Sequence, residues 1–194
     1  MSKLETNTID TISGSTNLTL GGTNATDITI PSGVTITNNG TQSGFGGVNT
    51  PAFEAKLSSS QSLSDAVASK INFNTEIFDT NNCYDNSTNY RFTPNVAGKY
   101  VVYAILQLYG NGTSEIENCS TDFYKNGSLL LRTWNDFRTN YLSWVTYTQS
   151  KIIEFNGSSD YVEIYGYINS VSGTVSVETD ATRTSYFGAY KIIE

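Results

Sequence analysis

The chain has 194 residues, a net charge of -7 and no histidine. That length supports one domain with a real core plus an appendage, not two full domains. With 11 basic against 18 acidic residues, no nucleic-acid partner and no anionic membrane surface is expected, because both need clustered Lys and Arg. The missing imidazole excludes Ser-His-Asp and Cys-His nucleophile systems and His-ligated zinc or haem.

Charged residues make up 15% of the chain, well below the usual share of about 25%. Asn, Thr, Ser and Gly take their place, as on extracellular and virion β-proteins. The two cysteines, Cys83 and Cys119, are too few for an all-thiolate metal site. The N-terminus has no apolar core of a secretory signal, so folding in a reducing compartment is expected. A Cys83–Cys119 disulfide, arithmetically possible, is not expected there. The longest apolar run, Tyr100–Leu106, is far short of a membrane span, so no membrane insertion is expected.

Composition changes near Pro51. Residues 1–50 contain one aromatic, Phe45, and one basic residue, Lys3, and so few large apolar groups cannot bury a core of their own. Leu18/Leu20, Ile28/Ile30 and Val34/Ile36 alternate with polar residues, and Gly21-Gly22, Pro31-Ser32-Gly33 and Asn39-Gly40 mark turns between them. Strands this short need partners from other chains, so residues 10–50 read as a thin trimeric β-stalk. The bland alternative is a polar linker. Residues 1–9, with Lys3 and Leu4, read as an attachment segment ahead of these units.

From residue 51 the pattern is an all-β sandwich of ten strands, a jelly roll by strand count. The predicted strands cover 52–57, 71–78, 90–93, 98–109, 120–125, 128–134, 142–155, 160–168, 174–180 and 185–193. Asn111-Gly112, Asn126-Gly127, Asn156-Gly157 and Ser172-Gly173 mark turns, and Asn126-Gly127 is the clearest hairpin. Tyr100–Leu106 reads as a central strand buried on both faces. Val162, Ile164 and Ile168 alternate with Tyr161, Glu163, Tyr165 and Tyr167, as in a half-buried strand. Residues 60–69 read as a loop.

These residues, in order, resemble the globular head of complement subcomponent q in the tumour-necrosis-factor-like superfamily. The similarity runs through Pro51-Ala52-Phe53, Ile71-Asn72-Phe73-Asn74 and Tyr84–Phe92, then Pro94–Tyr100, Tyr124–Gly127, Asp160-Tyr161-Val162 and Ser185–Tyr190. Asn89 stands where the family often has a turn glycine. The stretch Tyr109–Cys119 looks longer than its counterpart, and no Gly-X-Y collagen stalk precedes the head. The resemblance implies a homotrimer whose inner sheets pack on a threefold axis. The repeats in residues 1–50 resemble the shafts of bacteriophage fibre proteins.

Candidate sites follow from side-chain chemistry. Tyr103, Tyr161, Tyr165, Tyr167 and Phe187 are candidates for the trimer interface or the core, and an aromatic face also suits sugar stacking. Two loops are ligand candidates: Tyr109–Asn118, with Asn111 and Glu115, and Trp134–Tyr141, with Trp134, Asp136, Arg138 and Tyr141. Folding of those aromatics back onto the core is the bland alternative. Asp79–Asp85 offers oxygen ligands for calcium but lacks the spacing of an EF-hand loop, so Asx turns are the simpler expectation and no cofactor is assigned. Glu115/Glu117 and Asp160/Glu163 are the carboxylate pairs that glycoside cleavage would need, and nothing fixes their separation.

The sequence therefore reads as a non-enzymatic bacteriophage structural protein. It has an attachment segment and stalk over 1–50 and a jelly-roll head over 51–194. Its expected partners are two further copies of itself, other virion proteins and a host-surface glycan or protein. It is expected to fold in the host cytoplasm and to act on the virion surface. The alternatives are a capsid decoration protein without a receptor and a carbohydrate depolymerase.

Overall fold

The computed structural model describes residues 32–33, 49–110, 112, 115–182 and 184–192. The predicted stalk and attachment segment, including Lys3 and Leu4, lie outside the described residues apart from Ser32 and Gly33, which form a turn. Nearly everything described belongs to one compact unit, Gly46–Glu194.

Among the described residues there are thirteen strands and no helix. In chain order they are β1 (Ala52–Lys56), β2 (Gln61–Leu63), β3 (Ser69–Lys70), β4 (Thr75–Asp79), β5 (Tyr84–Asp85), β6 (Arg91–Phe92) and β7 (Gly98–Gly110). There follow β8 (Ile116–Lys125), β9 (Ser128–Asp136), β10 (Trp144–Phe155), β11 (Val162–Ser170), β12 (Val175–Glu178) and β13 (Tyr186–Lys191). A seven-stranded sheet runs β2-β12-β7-β13-β1-β4, with β10 on the free side of β7. A six-stranded sheet runs β5-β6-β11-β8-β9, with β3 beside β11. All pairings are antiparallel.

Each predicted strand is present, most with shifted ends, and three short ones are added. Residues 60–69, read as a loop, contain β2 and the start of β3, because their backbone pairs with β12 and β11. Residues 71–74 are not in a strand; Ile71 and Phe73 are nevertheless fully buried, so burial and not pairing explains that apolar stretch. Little of Tyr109–Asn118 is loop, since β7 extends to Gly110 and β8 starts at Ile116.

The core lies between the sheets and is strongly aromatic. Phe53 stacks on Tyr84 and Phe92 with centroids 4.6 Å apart in each case, and meets Phe187 edge-on at 4.9 Å. Phe92, Tyr100 and Phe155 continue the cluster through edge contacts. Such pairs add to plain area burial because ring edges carry positive charge and ring faces negative. Cys83 and Cys119 are both free and buried; burial pushes the Cys119 thiol up to about 11 against the lowering effect of its Tyr147 hydrogen bond.

The expectation that Tyr100–Leu106 is buried on both faces is corrected. Tyr100, Val102, Ala104 and Leu106 are fully buried, whereas Val101, Tyr103 and Ile105 are half-exposed. The strand is central within its sheet, but only its inner face is covered by the other sheet. A second correction concerns the turn after β5. The left-handed residue there is Tyr90 (φ 51°) and not Asn89. The Asp85 carboxylate collects the Ser87, Thr88 and Asn89 backbone N–H groups and the Asn89 amide at 2.7–3.1 Å. Burial alone would raise its pKa; the Thr88, Ser87 and Asn89 hydrogen bonds outweigh this and hold it well below the usual carboxylate range. A turn fixed this firmly leaves Tyr90 to absorb the strained dihedral.

Candidate functional site

The two sheets present two outward faces. On the seven-stranded sheet, register places Tyr103 beside Gly188 of β13 and Ser150 of β10, and places Val101 beside Tyr190 and Ile152. A Cβ on Gly188 would lie 2.4 Å from the Tyr103 ring. The missing side chain is therefore what lets that ring lie against the backbone. The Tyr103 hydroxyl donates to Glu54 at 2.7 Å, and Tyr186 meets its ring edge-on at 6.2 Å. Burial, followed by Glu54, raises the Tyr103 pKa well above its usual value. Tyr190, Phe78, which pairs with Glu54, and Ile152 are exposed, Ile152 at 59%. Tyr109 and Trp144 close one end, stacked at 4.2 Å.

The six-stranded sheet has a different outer face. Across β11, β8 and β9, register aligns Tyr165 with Asp122 and Arg132, and Tyr167 with Ser120 and Trp134. Asp122 is fully buried and is held by two Arg132 nitrogens at 2.8 and 2.6 Å. That hydrogen bonding outweighs burial and raises the Arg132 pKa. Tyr124 lies on Tyr165 with centroids 4.3 Å apart. Trp134, 43% exposed, lies 5.2 Å from the Tyr167 ring, with Arg132 at 5.8 Å from its own centroid. Lys70 of β3 pairs with the largely buried Glu163 at 2.6 Å, and Arg91 lies 4.3 Å over the Tyr161 ring.

Tyr103 and the Tyr161/Tyr165/Tyr167 series therefore occupy opposite sheets, and Phe187 is fully buried in the core; the five do not form one surface. Of the expected ligand loop, Trp134 lies in β9, as its place at the end of the predicted strand 128–134 implied, and Asp136 joins it because the strand runs two residues further. Arg138 folds back onto Asp136 with a bidentate ion pair, which pulls the Asp136 pKa down to about 2. Tyr141 is half-buried. Glu115 accepts from Ser172 at 2.8 Å, away from that cluster in the register. Asn111 lies outside the described residues.

At Asp79–Asp85 the carboxylates are engaged in turns of the Asx kind. Asp79 accepts the Asn81 and Tyr84 backbone N–H groups, and Asp85 is committed to its own turn. Among the described residues, no group of three or more acidic or thiol side chains could hold a metal ion. The carboxylates considered for glycoside cleavage are also engaged: Glu117 accepts from Asn169 at 2.7 Å and Glu163 pairs with Lys70. Asp160 is lowered by Asn126 and Lys125, contrary to what a general acid needs.

Sequence reasoning missed Asp122, Arg132, Tyr124, Ser120, Asn118 and Lys70. Alternation within β8 placed Ser120, Asp122 and Tyr124 on a common face, but no local signal pairs them with Arg132 and Trp134.

No protein-family model matches the chain, and no curated protein matches its sequence. Solved structures do. Eiger TNF from S. frugiperda is similar at 11% identity, over 73% of this chain and 90% of that one, with a TM-score of 0.51. The globular domain of a zebrafish complement 1qA protein is similar at 14% identity over 74% and 98%, again at 0.51. Murine APRIL is similar at 9% identity over 73% and 98%, also at 0.51. Residues from β1 to β13 therefore adopt the jelly-roll sandwich of the tumour-necrosis-factor-like and complement-1q globular domains.

Proposed function

We propose that this chain is a non-enzymatic virion structural protein of a bacteriophage, whose jelly-roll head assembles as a homotrimer and binds a glycan or protein on the host surface. Assembly is carried by one observation. The outer face of the seven-stranded sheet leaves Tyr190, Ile152 and Phe78 exposed and Val101, Ile105 and Tyr186 partly exposed. Monomeric proteins rarely leave so continuous an apolar surface uncovered. Burial against two further copies stabilises it at about 25 cal/mol per Å² removed from water. Closed rotational symmetry then makes one patch serve every subunit.

The phage context rests on the stalk-like sequence of residues 10–50 and the charge-poor composition. In this reading residues 1–9 hold the particle, the head faces outward, and three equivalent weak sites per fibre multiply into avidity.

The test is the absolute mass of the full chain by light scattering, alone and as Ile152→Asp/Tyr190→Asp. A mass near three times 21.2 kDa for the native chain and near one for the variant is the expected result. A native chain that runs as a monomer overturns the assembly. Labelled chain that fails to adsorb to any cell of a host panel overturns receptor binding while leaving assembly untouched.

A further inference from the structure

The six-stranded sheet holds polar atoms that its own side chains do not satisfy. Asn118 Oδ1 and Ser120 Oγ are buried and lack a hydrogen-bond partner; Ser120 is fully buried and Asn118 is 7% exposed. Both sit on the outward side of β8. Ser120 pairs with Trp134 on one side and Tyr167 on the other, and Asn118 pairs with Asp136 and Asn169. A buried acceptor left unmade loses its hydration with nothing in return, so such atoms mark a place where another group is expected.

The reason they gather here lies in the strand itself. The β8–β11 register shifts between Asn169 and Ser170, which pairs Asn118 with Asn169 but Ile116 with Ser170. Glu117 is thereby left over from the ladder, and its carboxylate turns to the Asn169 amide at 2.7 Å. A bulge of this kind re-aims side chains next to a strand end. It sets the Glu117 carboxylate by the Asn169 amide and beside Asn118, two residues along β8 from Ser120, whose β9 partner is the exposed Trp134.

We propose that this end of the sheet is a binding site for a neutral saccharide ring, stacked on Trp134 beside Tyr167 and donating hydroxyls to Asn118 Oδ1 and the acceptors around it. The inference rests on the reading of the chain as a binding head and names its ligand class. Chemistry selects the class in two steps. The unpartnered Asn118 oxygen and the nearby carboxylates accept hydrogen bonds, so the ligand must donate them. The cations on this stretch, Arg132 and Arg138, are already held by Asp122 and Asp136, so an anion finds no free positive charge. A pyranose meets both demands, with an apolar C–H face for the indole and hydroxyl donors at its rim. Trp134 is 43% exposed, and an exposed side chain changes rotamer within nanoseconds, so the indole can adjust as the ring seats on it.

The experiment titrates the full chain with methyl glycosides of glucose, galactose, mannose and N-acetylglucosamine, and with the methyl glycoside of sialic acid. Saturation-transfer NMR and indole fluorescence are the readouts. At least one neutral glycoside is expected to saturate both signals. Trp134→Ala is expected to weaken it by about tenfold or more, Trp134→Phe to retain most of it, and Trp144→Phe on the other sheet to leave it unchanged. No response to any neutral glycoside, a response to the sialoside alone, or binding that survives Trp134→Ala overturns the proposal. A trimeric mass without a saccharide signal sinks this site and leaves the assembly standing; a monomeric mass with the signal does the reverse.

Discussion

The outer face of the seven-stranded sheet and that of the six-stranded sheet are built by the same alternation, yet they end in different physical states. On the first, Val101, Tyr103, Ile105, Tyr190 and Ile152 stand partly in water, with Tyr103 bonded to Glu54 and Thr146 to Gln107. On the second, aromatic rings alternate with ion pairs: Lys70–Glu163, Tyr124 on Tyr165, Arg132–Asp122, then Trp134 by Tyr167. Large apolar groups on a bare face call for a partner of the same kind. Groups already paired with one another leave a surface content in water, open to a ligand only where satisfaction is incomplete. One face therefore suits self-assembly and the other recognition.

The comparison is broken most severely by stripping the buried carboxylate. Arg132→Leu leaves Asp122 fully buried without its cation, and about 3 kcal/mol of stability is expected to be lost. Urea unfolding measures it, and a loss below about 1 kcal/mol means that water reaches Asp122 and the face is not closed as described. Next comes Gly188→Val. The added side chain displaces the Tyr103 ring from its seat, costing about 1–3 kcal/mol of fold stability through overpacking. Light scattering is expected to show loss of the trimer as well; a trimer that persists moves the interface elsewhere.

A sharper and milder contrast places one new charge on each sheet. Ile152→Asp is expected to dissociate the assembly and to lower the melting temperature with it, since association stabilises the folded chain. Leu130→Asp, at an exposed position of the six-stranded sheet, is expected to leave the mass unchanged. Equal effects from the two would erase the distinction between the faces.

The smallest effect belongs to a residue on neither face. Asp85→Ala removes the acceptor of the Asp85–Asn89 turn, for about 1 kcal/mol, since water screens a carboxylate this accessible. Because the folded pKa is depressed, that contribution is complete above the unfolded carboxylate range of about 4 and fades as pH falls toward the folded value. The stability gap between native and variant is expected to be constant from about pH 7 to about pH 5 and to shrink below about pH 4. A gap that widens on acidification would contradict the assignment.

Much of the fold was legible because it rests on short-range rules. Alternation of Val162, Ile164 and Ile168 with tyrosines marked the inner face of β11, and these three are fully buried. Asn126-Gly127 marked a two-residue hairpin, and both residues have positive φ, 52° and 77°. Glycine stands where the backbone needs freedom or close approach. Gly98 has φ 138°, and Gly188 lies under Tyr103. The strands β2, β3 and β5 were not legible, because two or three residues carry no period and exist only through the neighbour they pair with.

Sequence by itself determined the all-β class, the main hairpin and the absence of histidine chemistry, since composition, period and turn residues act locally. Tertiary structure decided which residues share a face. The Asn126-Gly127 turn pairs Lys125 with Ser128 and Tyr124 with Leu129, and unbroken continuation would set Asp122 opposite Leu131. Instead, the register shifts between Phe123 and Tyr124, so Asp122 meets Arg132 and Ser120 meets Trp134. Because side chains alternate with a period of two, that single extra residue in β9 carries Arg132 and Trp134 from the inner face to the outer one. The driving force lies across the sheets. A buried Asp122 requires its guanidinium partner, and the aromatic core is built from Phe and Tyr, with both tryptophans outside it.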